Sequence, residues 1–397
     1  MRTALETQQP SGRRPVYLST LKSLATYLFW GVRLSRRLYT LRHMTPNNYE
    51  LEIDTHLKYI ERIGEGEFAT VDSFWLQDAT RPQYKSQRKV AVKRLKASQI
   101  IRIIDHKLND VVQVIHKTAE EIQDMVEETE ILKRISHPNI TAFLGYGYYL
   151  DDGTAREYMF CCQEYLERTL QDEFTDQEYS MKQALCWCLD IAKGLRYLHT
   201  RTPKVLHRDL KPVNILVSAT GVAKVADFGL FGFCMPQELT ARKGYRNLRT
   251  TMSAKRFKLA GNTGSYRYMA PENYLGTEYN EKVDIYSFSM LMYTMVRRKM
   301  VYYDNFLVPE QIAKDSTKGA RPKMHAKWPT EICTLLEDCW HSDPAMRISG
   351  TEVVTRIESI LKNDALIANL EELSPPKPNI ANCRVPMFKK SSTCTIA

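Results

Sequence analysis

The chain has 397 residues, enough for one large two-lobed domain with extensions at its ends. Its 43% hydrophobic and 26% charged residues are those of an ordinary soluble globular protein. The net charge of +10 admits acidic partners, nucleic acid or an anionic membrane, but the excess sits in the N-terminus, around 242–258 and in the last few residues. That distribution argues against a broad nucleic-acid surface, and no nucleic-acid-binding signature is visible. Nine cysteines, an odd number without framework spacing, argue against a disulfide scaffold and fit a reducing, cytoplasmic compartment. Cys161-Cys162 and Cys186-x-Cys188 lack zinc-ligand spacing, and the second pair lies in an apolar helical run that reads as buried packing.

Residues 1–49 form a basic extension, with Glu6 alone against Arg2, Arg13, Arg14, Lys22, Arg33, Arg36, Arg37 and Arg42. Leu21, Leu24, Leu28 and Val32 recur at helical spacing. The run is broken by Lys22, is too short for a convincing membrane span, and lacks the cleavage site of a secretory signal. Three readings stand side by side: a basic amphipathic helix on a membrane surface, a helix packed on the following domain, and an organelle transit peptide.

The domain proper is expected over 57–361. Lys58-Tyr59-Ile60 leads into Ile63-Gly64-Glu65-Gly66-Glu67-Phe68-Ala69-Thr70-Val71, followed by Val90-Ala91-Val92-Lys93. Alternation and β-branched content predict strands, with the glycines at the first turn. Gly64 and Gly66 let backbone N–H groups approach phosphate oxygens with no Cβ in the way. Helical patterns dominate from about 98 to 135 and again after 181. Strands first and helices later predict an α+β domain with a small β lobe and a larger helical one. The stretch 98–120 carries Ile100, Ile103, Ile104, Leu108, Val111, Val112, Val114 and Ile115, a content that suggests packing against a partner or the N-terminal helix. After about 363 the chain turns Pro- and Ser-containing, and Ser374-Pro375-Pro376-Lys377-Pro378 reads as an extended tail within 362–397.

The chemistry concentrates in His207-Arg208-Asp209-Leu210-Lys211-Pro212-Val213-Asn214 and in Asp227-Phe228-Gly229. This set can take a proton from a hydroxyl, steady a phosphate and hold magnesium. Its spacing resembles the catalytic loop and metal-binding motif of eukaryotic protein kinases, a resemblance that covers roughly 57–361. It implies a bilobal protein kinase fold: a β-rich N-lobe with helix αC over about 57–164, and a helical C-lobe over about 165–361. It also implies ATP and Mg²⁺ as cofactors and protein substrates as partners.

The resemblance carries roles residue by residue. Ile63, Gly64, Glu65, Gly66 and Val71 would cover the nucleotide, with Ala69 where the family has a third glycine. Ala91 would line the adenine pocket. Lys93 would bind the α- and β-phosphates, oriented by a glutamate of helix αC. The spacing to His137-Pro138-Asn139-Ile140 favours Glu128, with Glu127 and Glu130 as neighbours on the same helix. In the hinge, Gln163 would be the gatekeeper, and backbone groups of Glu164 and Leu166 would hydrogen-bond adenine. Asp209 would be the catalytic base, Lys211 would stabilise the transferring phosphoryl group, and Asn214 and Asp227 would hold Mg²⁺. His207 would pack beneath Phe228 with Leu132. Glu272 would pair with Arg347, and Asp284 would brace the catalytic loop.

Lys211-Pro212 is the form seen in serine/threonine kinases, and Ser265 takes the family's hydroxyl position near Asp209 and Lys211. Thr263-Gly264-Ser265-Tyr266-Arg267-Tyr268-Met269-Ala270-Pro271-Glu272 and Asp284-Ile285-Tyr286-Ser287-Phe288 resemble the tyrosine-kinase-like branch, with dual specificity left open. The segment from Asp227 to Glu272 is long and basic, with Thr240, Tyr245, Thr250, Thr251, Ser253 and Thr263 as acceptors. Arg208 precedes Asp209, the arrangement through which a phosphate on that segment would order it; the alternative is a basic loop whose charge only keeps it solvated. Cys394-Thr395-Ile396-Ala397 fits a prenylation form, with Lys389-Lys390 upstream and Cys383 as a second acylation site, against the reading of an unmodified tail. The class-level alternative to an enzyme is a pseudokinase scaffold. Its usual mark is loss of Lys93, Asp209, Asn214 or Asp227, and all are in place.

Overall fold

A computed structural model describes residues 49–65, 69–77, 87–95, 123–151, 156–176, 179–234, 265–302 and 308–373. The N-terminal helix, Gly66, the stretch 98–120, the acceptors between 240 and 263, and Cys383 and Cys394 lie outside these residues.

The N-lobe is a five-stranded antiparallel sheet of β1 (Leu57–Glu65), β2 (Ala69–Leu76), β3 (Arg88–Leu95), β4 (Phe143–Asp151) and β5 (Arg156–Glu164), in the order β1-β2-β3-β5-β4. Strand alternation sorts its side chains between two faces. Val90, Val92, Phe160 and Cys162 pack with Leu57, Phe74, Leu76 and Leu144 on one face. Ala91, Lys93, Cys161 and Gln163 therefore fall on the other, and the register pairs Ala91 with Gln163 and Lys93 with Cys161. Short helix α1 (Ile53–His56) precedes β1, and helix α2 (123–132) lies between β3 and β4. The buried Met125, Val126, Ile131 and Leu132 of α2 join a second apolar cluster that continues through Phe228 into the helical lobe.

Residues 49–51, ahead of the domain start expected at Leu57, pack on the N-lobe. Glu50 forms a parallel bridge with Tyr146 of β4; Leu51 N–H donates to the Tyr146 carbonyl at 2.7 Å, and Tyr146 N–H to the Tyr49 carbonyl at 2.9 Å. Leu51, 1% exposed, belongs to the same cluster as Leu57 and Val90. Two glycines of β4 make room for this strap. A Cβ on Gly145 would lie 2.7 Å from the Tyr49 carbonyl oxygen, and one on Gly147 would lie 2.0 Å from that of Leu51.

The C-lobe is built on α3 (Leu170–Asp176), α4 (Met181–His199), α5 (Pro271–Leu275), α6 (Lys282–Arg297), α7 (Pro309–Ser316), α8 (Thr330–Cys339), α9 (Gly350–Leu361) and α10 (Asp364–Leu373). Short strands β6 (Arg168–Thr169), β8 (Ile215–Val217) and β9 (Ala223–Val225) form one sheet; β7 (Lys204–Leu206) pairs with β10 (Gly232–Cys234) in another. Ser180 caps α4, accepting the Gln183 N–H at 3.1 Å. Every residue of α6 from Val283 to Val296 is buried, as befits a helix that is largely apolar all round. Cys188 is fully buried in α4, while Cys186 is half-buried. The overall arrangement is the α+β two-lobed one expected.

The first residues of the expected tail, 364–373, are helical, while 374–378, read as extended, lie outside the described residues. Helix α10 buries Leu366, Ile367 and Leu370. Glu371 accepts from the Met181 N–H at 2.5 Å and from Arg298 at 2.6 Å, tying α10 to the start of α4 and the end of α6. The proline-rich residues after 373 marked the tail in the sequence, and the apolar spacing of α10 just before them went unread.

Arg347, 1% exposed, donates from Nη1 and Nη2 to the two carboxylate oxygens of Glu272 at 2.5 and 2.9 Å. Arg347→Ala would strand the Glu272 carboxylate in the interior, so a loss of about 3–5 kcal/mol is expected, read as a lower urea midpoint with unchanged slope. Gly147→Ala would push a methyl into the Leu51 carbonyl. The expected result is loss of hydrogen-exchange protection at the Leu51 and Tyr146 amides, with the C-lobe amides unaffected.

Candidate active site

The loop expected to be catalytic, 207–214, hangs from one buried carboxylate. Asp284, in the first turn of α6, accepts the His207 N–H at 2.9 Å and the Arg208 N–H at 2.8 Å, and lies 2.9 Å from the His199 ring Nε2. Burial opposes its charge, but the His199 ring and the loop amides outweigh burial and hold the Asp284 carboxyl below the ordinary aspartate range. These bonds sustain a left-handed backbone at Arg208, φ 68°. His207 Nε2 lies 2.9 Å from the Ala226 carbonyl and so carries the proton, which leaves Nδ1 to accept the Asp209 N–H at 3.3 Å. The His207 ring packs edge-on against Phe228, with centroids 5.1 Å apart.

Asp209, 6% exposed, is held on one of its two oxygens. Lys211 Nζ lies 2.8 Å from Oδ2, and Asn214 Nδ2 donates to the same Oδ2 at 3.0 Å and to the Asp209 carbonyl at 2.8 Å. Lys211 also donates to the Ser265 hydroxyl at 3.1 Å. Among the described residues both side-chain contacts thus fall on Oδ2.

A second cluster faces this one across the cleft. Lys93 Nζ lies 2.9 Å from Glu128 Oε2 and 3.4 Å from Asp227 Oδ1. Of the three glutamates considered on α2, Glu128 is 3% exposed; Glu127 is exposed and accepts from Gln123, and Glu130 pairs with Lys133 at 2.9 Å. Burial works against the Lys93 ammonium, but Glu128 and Asp227 outweigh it and hold its pKa above the ordinary lysine range. Burial pushes the Glu128 carboxyl upward while Lys93 pulls it down. Burial pushes the neighbouring Cys161 thiol up to about 12, so it stays neutral beside the charged cluster.

Asp227 has φ 60° and accepts the Gly229 N–H at 3.3 Å. Ile215 pairs with Val225 and the Ala226 N–H donates to the Asn214 carbonyl at 2.9 Å, so the β8–β9 pair sets Asn214 and Asp227 side by side. The Asn214 amide uses its nitrogen on Asp209, and its Oδ1 is buried without a hydrogen-bond partner. An orphaned amide oxygen beside a carboxylate is the donor chemistry of a hard divalent cation.

The remaining expected residues line the roof and back of the cleft. Val71 pairs with Gly64 across β1 and β2 and with Lys93 across β2 and β3, and is buried. Ile63 and Glu65 are half-buried, and Glu65 lies 3.5 Å from Arg62. Gln163 accepts from the Thr141 hydroxyl at 3.2 Å. The Glu164 N–H donates to the Ala142 carbonyl at 2.9 Å, and Leu166 follows half-buried. Sequence reasoning missed two contacts. Lys224 of β9 lies 2.8 Å from both Glu164 carboxylate oxygens, an ion pair that joins the lobes at the hinge. Tyr279 accepts a hydrogen bond from Arg208 Nη1 at 2.7 Å. The two residues of each pair are far apart in sequence, and Lys224 and Tyr279 sit in no motif.

Residues 57–357 match the family described as protein tyrosine and serine/threonine kinase. The chain is 33% identical over 244 residues to the serine/threonine-protein kinase VIK of Arabidopsis thaliana, a match covering 60% of this chain and 51% of that protein. It is 32% identical over 249 residues to serine/threonine-protein kinase 12 of the same plant, covering 61% and 49%. It is 30% identical over 251 residues to mitogen-activated protein kinase kinase kinase 7 of Drosophila melanogaster, covering 61% and 33%. The matched region thus spans about half the length of the first two relatives and a third of the last. With the family match running through most of the chain, over the lobes, the catalytic loop and the Glu272–Arg347 pair, this protein belongs to the protein tyrosine and serine/threonine kinase family.

Proposed function

We propose that this protein is an active kinase that transfers the γ-phosphate of ATP to serine and threonine hydroxyls of protein substrates, as a member of the tyrosine-kinase-like branch acting in signalling. The observation that carries the reading is that residues far apart in sequence are brought together in two clusters: Lys93 with Glu128 and Asp227, and Asp209 with Lys211, Asn214 and Ser265. The serine/threonine preference rests on Lys211 and Ser265 and on the names of the relatives.

The chain's own groups divide the work. Lys93, kept charged by its carboxylates, would bind the α- and β-phosphate oxygens. Ala91, Val71 and Gln163 would bound the adenine, and the Glu164 carbonyl is the backbone group of that residue left to it, since its N–H is committed to Ala142. Asp209 Oδ1 would orient the substrate hydroxyl and accept its proton, with Oδ2 pinned by Lys211 and Asn214. Lys211 would offset charge on the transferring group. Asn214 Oδ1 and Asp227 would hold Mg²⁺, which when bound supplies positive charge that offsets the phosphate oxygens.

Asp209→Asn keeps the hydrogen-bonding outline but removes the proton acceptor, so phosphate transfer from ATP–Mg²⁺ to a generic acceptor protein should fall by about 10²- to 10⁴-fold. Chelating divalent metal should abolish transfer, and adding Mg²⁺ back should restore it. Wild-type protein no more active than Asp209→Asn would refute catalysis and favour the scaffold reading. A peptide-library phosphorylation profile then reads the choice among serine, threonine and tyrosine.

A further inference from the structure

Arg208, 5% exposed, lies between the Asp284 anchor and the catalytic Asp209, and its guanidinium donates in three directions. Nε donates to the Leu230 carbonyl at 2.6 Å, Nη2 to the Phe231 carbonyl at 2.6 Å, and Nη1 to the Tyr279 hydroxyl at 2.7 Å. The two carbonyls belong to the start of the activation segment, just past Gly229. The phenol comes from the loop between α5 and α6, in the helical lobe.

The guanidinium also lies against the backbone of Gly232. A Cβ at that position would meet Arg208 Cζ at 2.8 Å and both Nε and Nη1 at 3.0 Å. Gly232 opens β10 and pairs with Leu206 of β7, the residue just ahead of the catalytic loop. Arg208 therefore touches the activation segment through two carbonyls and one glycine, while its amide holds to Asp284. A planar guanidinium with acceptors on separate edges has little rotational freedom, which makes the phenol the contact that fixes its orientation.

We propose that the Tyr279 hydroxyl is a positioning group for phosphoryl transfer: it completes a clamp on Arg208 that holds β10 against β7 and sets Asp209, with no phosphate required on the activation segment. The phosphate expected from the sequence would order the segment through Arg208. Here carbonyls 230 and 231 and the Tyr279 phenol each take one N–H from one of its three nitrogens, so neutral acceptors already hold the first residues of the segment to Arg208. Among the described residues Tyr279 makes no hydrogen bond to the clusters assigned to ATP or metal; its ring packs on the large-lobe core and its hydroxyl acts through Arg208. The proposal rests on the kinase reading above for its activity readout, and on exchange for a readout independent of it.

The experiment uses the full chain, treated with a broad-specificity phosphatase and verified free of phosphate by mass spectrometry. Wild type, Tyr279→Phe, Gly232→Ala and the Asp209→Asn control are compared, with unfolding midpoints checking that each is folded. Dephosphorylated wild type should keep activity well above Asp209→Asn. Tyr279→Phe keeps the ring but removes the acceptor, and should lower kcat about tenfold, the scale of one lost hydrogen bond to a charged group, with KM for ATP unchanged. Gly232→Ala should act in the same direction by displacing the guanidinium. In both variants the amides of 232–234 should exchange faster. Wild-type kcat with wild-type exchange in Tyr279→Phe would overturn the clamp. So would activity that phosphatase brings down to the Asp209→Asn level and rephosphorylation restores. A wild type inactive in both states would defeat the kinase reading instead, and unchanged exchange in Tyr279→Phe would still overturn the clamp by itself.

Discussion

The site depends on a single buried carboxylate. Asp284 has no solvent exposure and is satisfied by two backbone amides of the catalytic loop and the ring of His199. Removing a charge from water is costly, and only a full set of donors offsets that cost. The requirement works in both directions. The loop needs Asp284 to sustain the left-handed turn at Arg208, and Asp284 needs the loop to stay charged. Because folding depresses its pKa, the stability it contributes is complete above the ordinary aspartate range and is lost as pH falls through the lowered value.

From that anchor the rest of the chemistry is a matter of register. The β8–β9 pairing places Asn214 beside Asp227, and Asp227 reaches Lys93 in the other lobe. Lys93 arrives there because β3 alternates: Val90 and Val92 fill the N-lobe core, which turns Ala91 and Lys93 to the cleft. A shift of one residue in β3 would bury the lysine among leucines and turn two valines to the cleft. The apolar core of the small lobe and the charge pattern of the cleft are thus two outcomes of one alternation.

Much of this was legible in the sequence, for a local reason. Asp209, Lys211, Asn214 and Asp227 fall within one short stretch, where the chain itself fixes their spacing. Lys93 and the hinge were readable because strands with β-branched alternation announce themselves. Glu128 was separable from Glu127 and Glu130 only through the spacing to His137, and its burial gives the geometric reason. What escaped were contacts made by tertiary approach: Glu164 with Lys224, Arg208 with Tyr279, Glu371 with Arg298, and the pairing of residues 49–51 with β4. A tyrosine or a lysine outside a motif carries no mark of the partner that folding brings to it. Two packed segments outside 57–361 escaped for the same reason, since Leu51 and Leu370 show their burial only once β4 and α4 are in place.

The strap over β4 bears on how the protein would behave if trimmed to its family boundaries. Residues 49–51 occupy the outer hydrogen-bonding groups of Tyr146, and Leu51 closes the core behind them. A version begun at Leu57 would leave that flank of the sheet unpaired and a leucine-sized gap beside it. Bare strand flanks recruit strands from other molecules. The glycines that admit the strap would admit a neighbour's strand as readily, so a shortened protein would be prone to self-association along β4 while its catalytic cleft stayed intact.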